Sequence, residues 1–194
     1  MVKKQKLIVL IIILLALIFG GIFYWQNREI KGSPEDYVIK EIGSKVFVEN
    51  KRAGLTVQVP DGWEVKKINL LEGSVVFYTS DIEEKWLNEL TPLQKGCGID
   101  MAMVYKKMNF EDIKKEIEEM HQGLGIKSDK FELTTINNRQ ALKNTFDSII
   151  SGQGFAVYFS QKNKLYSFCL YWEPDKEEKC VEEFDEFLKT VSID

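Results

Sequence analysis

The side chains best suited to metal binding or nucleophilic chemistry are three cysteines and one histidine, Cys97, Cys169, Cys180 and His121. Together they could form a Cys3His zinc site, but structural zinc sites usually contain a close Cys-x-x-Cys pair, and no two of these cysteines have that spacing. Glu118 and His121 form one Glu-x-x-His motif, whereas a metal site in a helical bundle needs two such motifs on separate helices. The sequence therefore predicts no metal and no cofactor, and it assigns His121 to the surface or to a helix end.

A disulfide bond is the favoured use of these cysteines, because the N-terminal segment of the chain predicts a domain outside the cytoplasm. Cys169 falls in the last predicted strand, and Cys180 lies near the start of the helix that must fold back onto that strand. Their short separation favours the pair Cys169–Cys180, which would contribute roughly 3 kcal/mol by the chain-entropy estimate. Cys97 is then expected to be a free thiol that packs as a small buried hydrophobe.

The motifs of nucleophilic catalysis do not occur in the sequence, which has no Gly-x-Ser-x-Gly and no cysteine with a histidine close to it in the chain. Residues 151–154 are rich in glycine, but no helix begins after them to hold a phosphate group. The acidic residues of the segment 175–186 are interspersed with Lys176 and Lys179, which is typical of a solvated helix face. The sequence therefore predicts that the protein is not an enzyme. The alternative is a small hydrolase or a metal-dependent enzyme whose site is built from scattered residues.

An uninterrupted run of nineteen uncharged residues, 7–25, lies near the N-terminus. At about 1.5 Å per residue, a helix of this length would cross the roughly 30 Å hydrocarbon core of a bilayer. Lys3, Lys4 and Lys6 precede the run, and positive residues mark the cytoplasmic end of a transmembrane helix. The sequence therefore predicts a cytoplasmic tail (1–6), a transmembrane helix (7–25) and a domain on the outer side of the cell membrane.

A cleaved signal peptide is the alternative interpretation of this run. Signal cleavage requires small residues in an Ala-x-Ala-like pattern after a shorter apolar core. Here the run ends in Phe23, Tyr24 and Trp25, and such rings are favoured at the headgroup level of a membrane. We therefore expect a retained signal-anchor and a single-pass membrane protein.

The charge of the domain excludes one class of partner. The whole chain carries a net charge of −4, and the part from Ser33 onward carries −8. Proteins that bind nucleic acids present basic surfaces to the phosphates. The sequence therefore predicts no nucleic-acid partner.

Strand patterns dominate the sequence after a juxtamembrane linker or stalk over residues 26–44, in which Ser33 and Asp36 predict a capped helix over 34–42. Alternating apolar residues and turn signals predict the strands 55–59, 63–65, 74–80, 98–105, 131–136, 140–146, 155–160 and 165–172. Helices are predicted at 84–90, at 109–122 and from 174 to 191. The pattern predicts an α+β domain over 45–194, with an antiparallel sheet flanked by helices.

Trp63 is expected to be a core residue. It follows the turn 60–62 at the start of a strand, where a large ring can cover one end of the sheet. Its neighbours Glu64 and Lys66 are charged, so they offer no aromatic surroundings for a bound ligand.

The segment 54–63, with the sequence GLTVQVPDGW, resembles the PsbP-like family, in which such a strand runs into a Pro-x-Gly-Trp turn. Residues 136–141 are similar to the family's central hairpin, 166–168 to its penultimate strand and 184–193 to its closing helix and tail. The resemblance covers residues 45–194 and implies an α/β/α arrangement around an antiparallel sheet. It also implies a non-enzymatic binding or assembly module, since most members are of that kind. It carries no functional residue over to this chain.

The sequence as a whole predicts a membrane-anchored, extracytoplasmic binding or scaffolding domain. Its expected partners are the membrane, through the N-terminal helix, and an unidentified protein. A second possibility is an accessory or sensor subunit of an envelope complex that uses the anchor for partner contact.

Overall fold

The computed structural model describes residues 30–68, 74–89, 91–148 and 152–194. The predicted cytoplasmic tail (1–6) and transmembrane helix (7–25) lie outside these residues. Within the described ranges, no helix is both long enough and apolar enough to span a membrane. Lys31–Asp194 forms one compact unit.

The described residues contain twelve strands and three helices. The strands are β1 (Ile30–Lys31), β2 (Tyr37–Ile42), β3 (Lys45–Asn50), β4 (Leu55–Gln58), β5 (Trp63–Ile68), β6 (Ser74–Thr79), β7 (Cys97–Tyr105), β8 (Lys127–Ile136), β9 (Arg139–Ser148), β10 (Gly152–Gln161), β11 (Lys164–Trp172) and β12 (Ser192–Ile193). The helices are α1 (Glu84–Asn88), α2 (Phe110–Leu124) and α3 (Glu177–Lys189). The predicted α+β class is confirmed.

The strands form two antiparallel sheets. In the larger sheet, seven strands follow the order β5-β6-β7-β11-β10-β9-β8, and the smaller sheet has the order β12-β4-β3-β2. Two-residue turns join β8 to β9 and β10 to β11, and the first of them places Asn137 and Asn138 at φ 46° and 64°. Asparagine tolerates this left-handed conformation, which is what a tight hairpin turn requires. The predicted strands 131–136 and 140–146 therefore form one hairpin, and 155–160 and 165–172 form another.

The two longer helices lie on opposite faces of the larger sheet. Residues alternate between those faces along each strand, and each set packs against a different helix. The core on the α3 side also takes in the smaller sheet, and its members include Tyr37, Val57, Phe77, Ile99, Phe168, Leu170, Phe184 and Phe187. The core on the α2 side is smaller and comprises Met108, Ile113, Ile117, Leu142, Phe146, Ala156 and Tyr158. Trp63 belongs to the α3-side core with 9% of its surface exposed, so its predicted burial is confirmed.

Local signals explain where α2 begins and ends. The Asn109 side chain accepts a hydrogen bond from the Asp112 N–H at 2.9 Å and caps the first turn. Gly125 ends the helix in the left-handed conformation, with φ 68°. Between these ends the helix buries Ile113 and Ile117, which are four residues apart and so lie on one face.

The structure corrects the predicted helix over 34–42. The capping box does form, since the Asp36 carboxylate accepts a hydrogen bond from the Ser33 N–H at 3.0 Å. It starts only a 3-10 turn at Pro34–Asp36, and the following residues form strand β2. These residues are rich in β-branched side chains, which favour strands. Since β2 pairs with β3, this part of the predicted linker belongs to the folded domain.

The structure also corrects the predicted disulfide Cys169–Cys180. Cys180 is bonded to Cys97, with a Cα–Cα distance of 5.6 Å, and Cys169 is a free cysteine. Strand alternation explains the difference, because Phe168 and Leu170 face the α3-side core and Cys169 between them faces the α2 side. Cys97, at the start of the neighbouring strand, is on the same face as α3.

Candidate binding groove

An open groove of about 750 Å³ lies between the C-terminal end of strand β8 and helix α3. Residues 134–137 of β8 and its hairpin turn line one wall, and α3 lines the other. Ile136, on the strand wall, is buried. Val181 and Leu188 supply apolar surface on the helix wall. The groove therefore combines apolar and polar side chains between two regular elements.

The strand wall is the edge of the larger sheet. Among the described residues, β8 pairs only with β9, so its other side is open. An edge strand presents unpaired N–H and C=O groups that can form hydrogen bonds with another extended chain. Leu133 lies on this strand with 68% of its surface exposed.

The helix wall is acidic. The groove-lining residues of α3 include four carboxylates, Glu178, Glu182, Asp185 and Glu186, and one lysine, Lys189. Lys189 forms an ion pair with Glu186, and this ion pair raises the pKa of the lysine. The helix therefore presents a net negative charge to the groove.

Both ends of α3 are fixed, which holds the groove open in one geometry. The disulfide from Cys97 attaches Cys180, in the first turn of the helix, to β7. At the other end, the Asn137 side-chain amide donates to the carbonyl oxygens of Leu188 at 3.0 Å and Val191 at 2.8 Å. Helix carbonyls in the last turn have no partner within the helix. The amide of Asn137 supplies this partner, so the hairpin turn contacts the end of α3 at this end of the groove.

A second concave surface, of about 360 Å³, lies near the start of α3. It contains an ion network in which the Lys176 amine lies 2.8 Å from the Asp81 carboxylate and 2.9 Å from that of Glu173. Hydrogen bonds from Lys176 and Thr79 lower the pKa of Asp81 to about 2. Glu173 also accepts the Gly96 N–H at 3.0 Å. One lysine therefore bridges two carboxylates, and the network joins the β6–α1 turn to the start of α3.

Cys169 lies in a polar row on the α2 side of the sheet. It stands opposite Asp100 on β7, and hydrogen bonds join it to the side chains of Tyr158 and Tyr171. Burial, and secondarily the charge of Asp100, raise the pKa of the thiol. Because the thiolate is the nucleophilic form, this cysteine is a weak nucleophile at neutral pH.

His121 lies in the last turn of α2, so the predicted helix-end position is correct. The side chain is buried, however, and does not lie at the surface. It is 5% exposed, and its ring centroid lies 5.9 Å from that of Phe146. Burial lowers the pKa of His121. In the part of the chain that the structure describes, no group of three or more His, Cys, Asp or Glu residues could hold a metal ion.

The sequence pattern predicts that the carboxylates of α3 lie on a solvated helix face, and it does not reveal the groove. The helix half was visible, because Glu178, Glu182 and Asp185 follow a helical spacing beside Val181. The strand half was not, because the pattern of one strand does not tell whether it lies at the edge of its sheet.

No protein-family model and no curated protein matches the chain. Its structure is similar to the solution structure of cyanobacterial PsbP (CyanoP) from Synechocystis sp. PCC 6803, with a TM-score of 0.57 and 12% sequence identity. The match covers 79% of this chain and 95% of that chain. The fold is therefore PsbP-like, as the sequence resemblance predicted. At this identity the likeness concerns the fold alone.

Proposed function

We propose that this protein is a membrane-anchored, extracytoplasmic binding or scaffolding domain that holds a protein partner in the groove between β8 and α3. The PsbP-like fold supports a domain of this kind. The apolar run 7–25 and the preceding lysines support the anchor and its orientation. Cysteine usage agrees with this location, because Cys97 and Cys180 form a disulfide, and disulfides persist in oxidising compartments.

The observation that carries the binding function is the position of the groove beside an open strand edge. Ligand-binding sites are typically concave and largely formed before the ligand arrives. Here the rigid walls are a strand of the main sheet and a helix fixed at both ends by Cys180 and Asn137. A partner would therefore meet a preorganised surface, which lowers the entropy lost on binding.

Site-specific crosslinking in intact cells tests this function. A photoreactive amino acid at Glu182, on the helix wall, is expected to give a discrete covalent adduct with one partner. The same amino acid at Glu118, on the exposed face of α2, is the matched control and should give none. Equal adduct patterns at the two positions, or no adduct at Glu182 under any growth condition, would contradict the proposed function.

The anchor has its own test. A reporter fused after Asp194 should be active only outside the cytoplasm, and the full-length protein should stay in the membrane during alkaline extraction. Recovery of a mature chain that starts near Gln26 would show instead that the apolar run is a cleaved signal.

A further inference from the structure

The charges of α3 and α2 differ in how they are compensated. On α2, Glu116 pairs with Lys106, Glu118 with Lys114 at 3.9 Å and Glu119 with Lys115 at 3.8 Å, three ion pairs in all. On α3, Glu178 and Glu182 form no ion pair with any described residue. Asp185 forms no ion pair with a described residue, although its charge adds, after that of Glu186, to the raised pKa of Lys189. Three of the four groove carboxylates, Glu178, Glu182 and Asp185, are thus available to an external cation, whereas Glu186 is paired with Lys189. The three α2 carboxylates named above are already paired.

These carboxylates form one stripe along the groove. Glu178, Glu182 and Asp185 are spaced four and three residues apart, so they lie on one side of the helix. At about 1.5 Å per residue the stripe is roughly 10 Å long. On one face of an extended strand, successive side chains are roughly 6.5–7 Å apart. Two basic side chains of an extended peptide can therefore reach the stripe at once.

The opposite wall selects the backbone conformation of the partner. The open side of β8 can pair with an extended chain through main-chain hydrogen bonds, and the apolar contact from Val181 and Leu188 lies beside that path. Strand addition to a sheet edge next to a helix is a physically established way to bind peptides. A lipid headgroup or a nucleic acid would bring phosphates to an acidic wall, which repels them.

We infer that the groove binds an extended protein segment rich in lysine and arginine, which pairs with the free edge of β8 while its basic side chains contact the carboxylate stripe of α3. This inference rests on the proposed function and specifies the partner class of the same groove. Main-chain pairing supplies the register, and the charges supply selectivity.

Three ten-residue peptides test the inference against the full-length protein in nanodiscs of zwitterionic phosphatidylcholine, with fluorescence anisotropy as the readout. The first alternates lysine and threonine, the second glutamate and threonine, and the third is the first peptide with every backbone amide N-methylated. The first peptide should bind roughly tenfold or more tightly than the second, because the charge of the peptide is reversed. It should exceed the third by roughly the same factor, because N-methylation removes the N–H groups that strand pairing needs at both edges of the peptide.

Variants locate the site. Replacing the stripe with neutral side chains of similar shape, Glu178→Gln, Glu182→Gln and Asp185→Asn together, should weaken the lysine–threonine peptide by roughly tenfold and reduce its salt dependence. The matched control neutralises three paired residues of α2, Glu116→Gln, Glu118→Gln and Glu119→Gln, and makes the same change in net charge. It should leave the affinity within about twofold of wild type.

The outcomes separate the inference from the proposed function. Equal binding of the lysine and glutamate peptides would overturn the charge selectivity, and equal binding of the N-methylated peptide would overturn strand addition. Equal weakening by the two triple variants would overturn the site. In each of these cases, a partner crosslinked at Glu182 in cells would leave the proposed function standing, whereas no such partner would remove both.

Discussion

The two faces of the larger sheet are built differently. On the α3 face, a disulfide, an asparagine cap and a core shared with the smaller sheet fix the helix, and the buried side chains are almost all apolar. On the α2 face, a smaller core packs against strand residues that include Cys169 and the buried polar residue Asn144. The helix of this face buries the chain's only histidine.

The difference assigns separate roles to the two faces. Apolar burial and covalent attachment on the α3 face provide stability and hold the groove in shape. The α2 face carries fewer buried apolar groups and a titratable one, so its stability should be lower and should depend on pH. Mutations that remove one feature from each face test this division.

Removal of the disulfide should have the largest effect. For a sequence separation of 83 residues, the chain-entropy estimate gives about 4.5 kcal/mol of stabilisation. The double variant Cys97→Ala, Cys180→Ala of the compact unit Lys31–Asp194 should therefore lose about that much free energy of unfolding, measured by urea titration. Dithiothreitol should lower the midpoint of the wild type and leave that of the variant unchanged. A wild-type midpoint that dithiothreitol does not move would contradict the assignment of the α3 face as the covalently stabilised one.

Matched leucines on the two faces compare the cores directly. Leu170 of β11 lies in the α3-side core, fully buried, and Leu142 of β9 lies in the α2-side core with 5% exposed. Leu170→Ala should cost about 3–4 kcal/mol and Leu142→Ala about 2 kcal/mol, because a cavity costs more where the surroundings cannot relax. Urea titrations of both variants provide the measurement. Equal losses would show that the two cores are equally rigid.

The same comparison shows what the sequence could predict. Alternation along β11 correctly predicted a strand, and it also contained the information that Cys169 lies on the face opposite Phe168 and Leu170. The pair Cys169–Cys180 was wrong because closeness in the chain was given more weight than the face of the strand. The partner, Cys97, comes from a strand far away in the chain, and only the order of the strands in the sheet brings it to α3.

Local signals were reliable where they decided local geometry and misleading where the sheet decided it. The capping box at Ser33 formed as predicted, yet the segment that follows became β2 because pairing with β3 outweighed the helical start. The acidic spacing on α3 was visible in the sequence, but the groove requires the open edge of β8, which depends on strand order. Tertiary placement was therefore the missing information in each case.

Removal of the Asn137 side chain, which caps the C-terminal end of α3, should have a smaller effect than either leucine replacement. Asn137→Gly keeps the left-handed backbone conformation, to which glycine is well suited, and removes the amide that donates to α3. We expect a loss of about 1 kcal/mol in the free energy of unfolding, the usual value of a side-chain hydrogen bond of this kind. Asn138→Gly makes the same replacement at the neighbouring position of the turn and is expected to change stability by less than about 0.5 kcal/mol. Equal effects of the two replacements would show that the turn, and not the cap, determines the stability.

The smallest expected effect concerns the pH dependence of the α2 face. Burial lowers the pKa of His121 from its ordinary value of 6.5, so as the pH falls the unfolded chain takes up a proton before the folded one does. The contribution of His121 to the free energy of unfolding is therefore fully present above about pH 6.5. It is lost as the pH falls toward the pKa that His121 has in the folded protein. His121→Gln removes this titration while the carboxylates of both proteins respond alike, so the urea midpoint should fall less in the variant between about pH 7.5 and about pH 5.5. If wild type and variant lose the same stability over this interval, the histidine is not the source of the pH dependence and the α2 face is no more sensitive to acid than the α3 face.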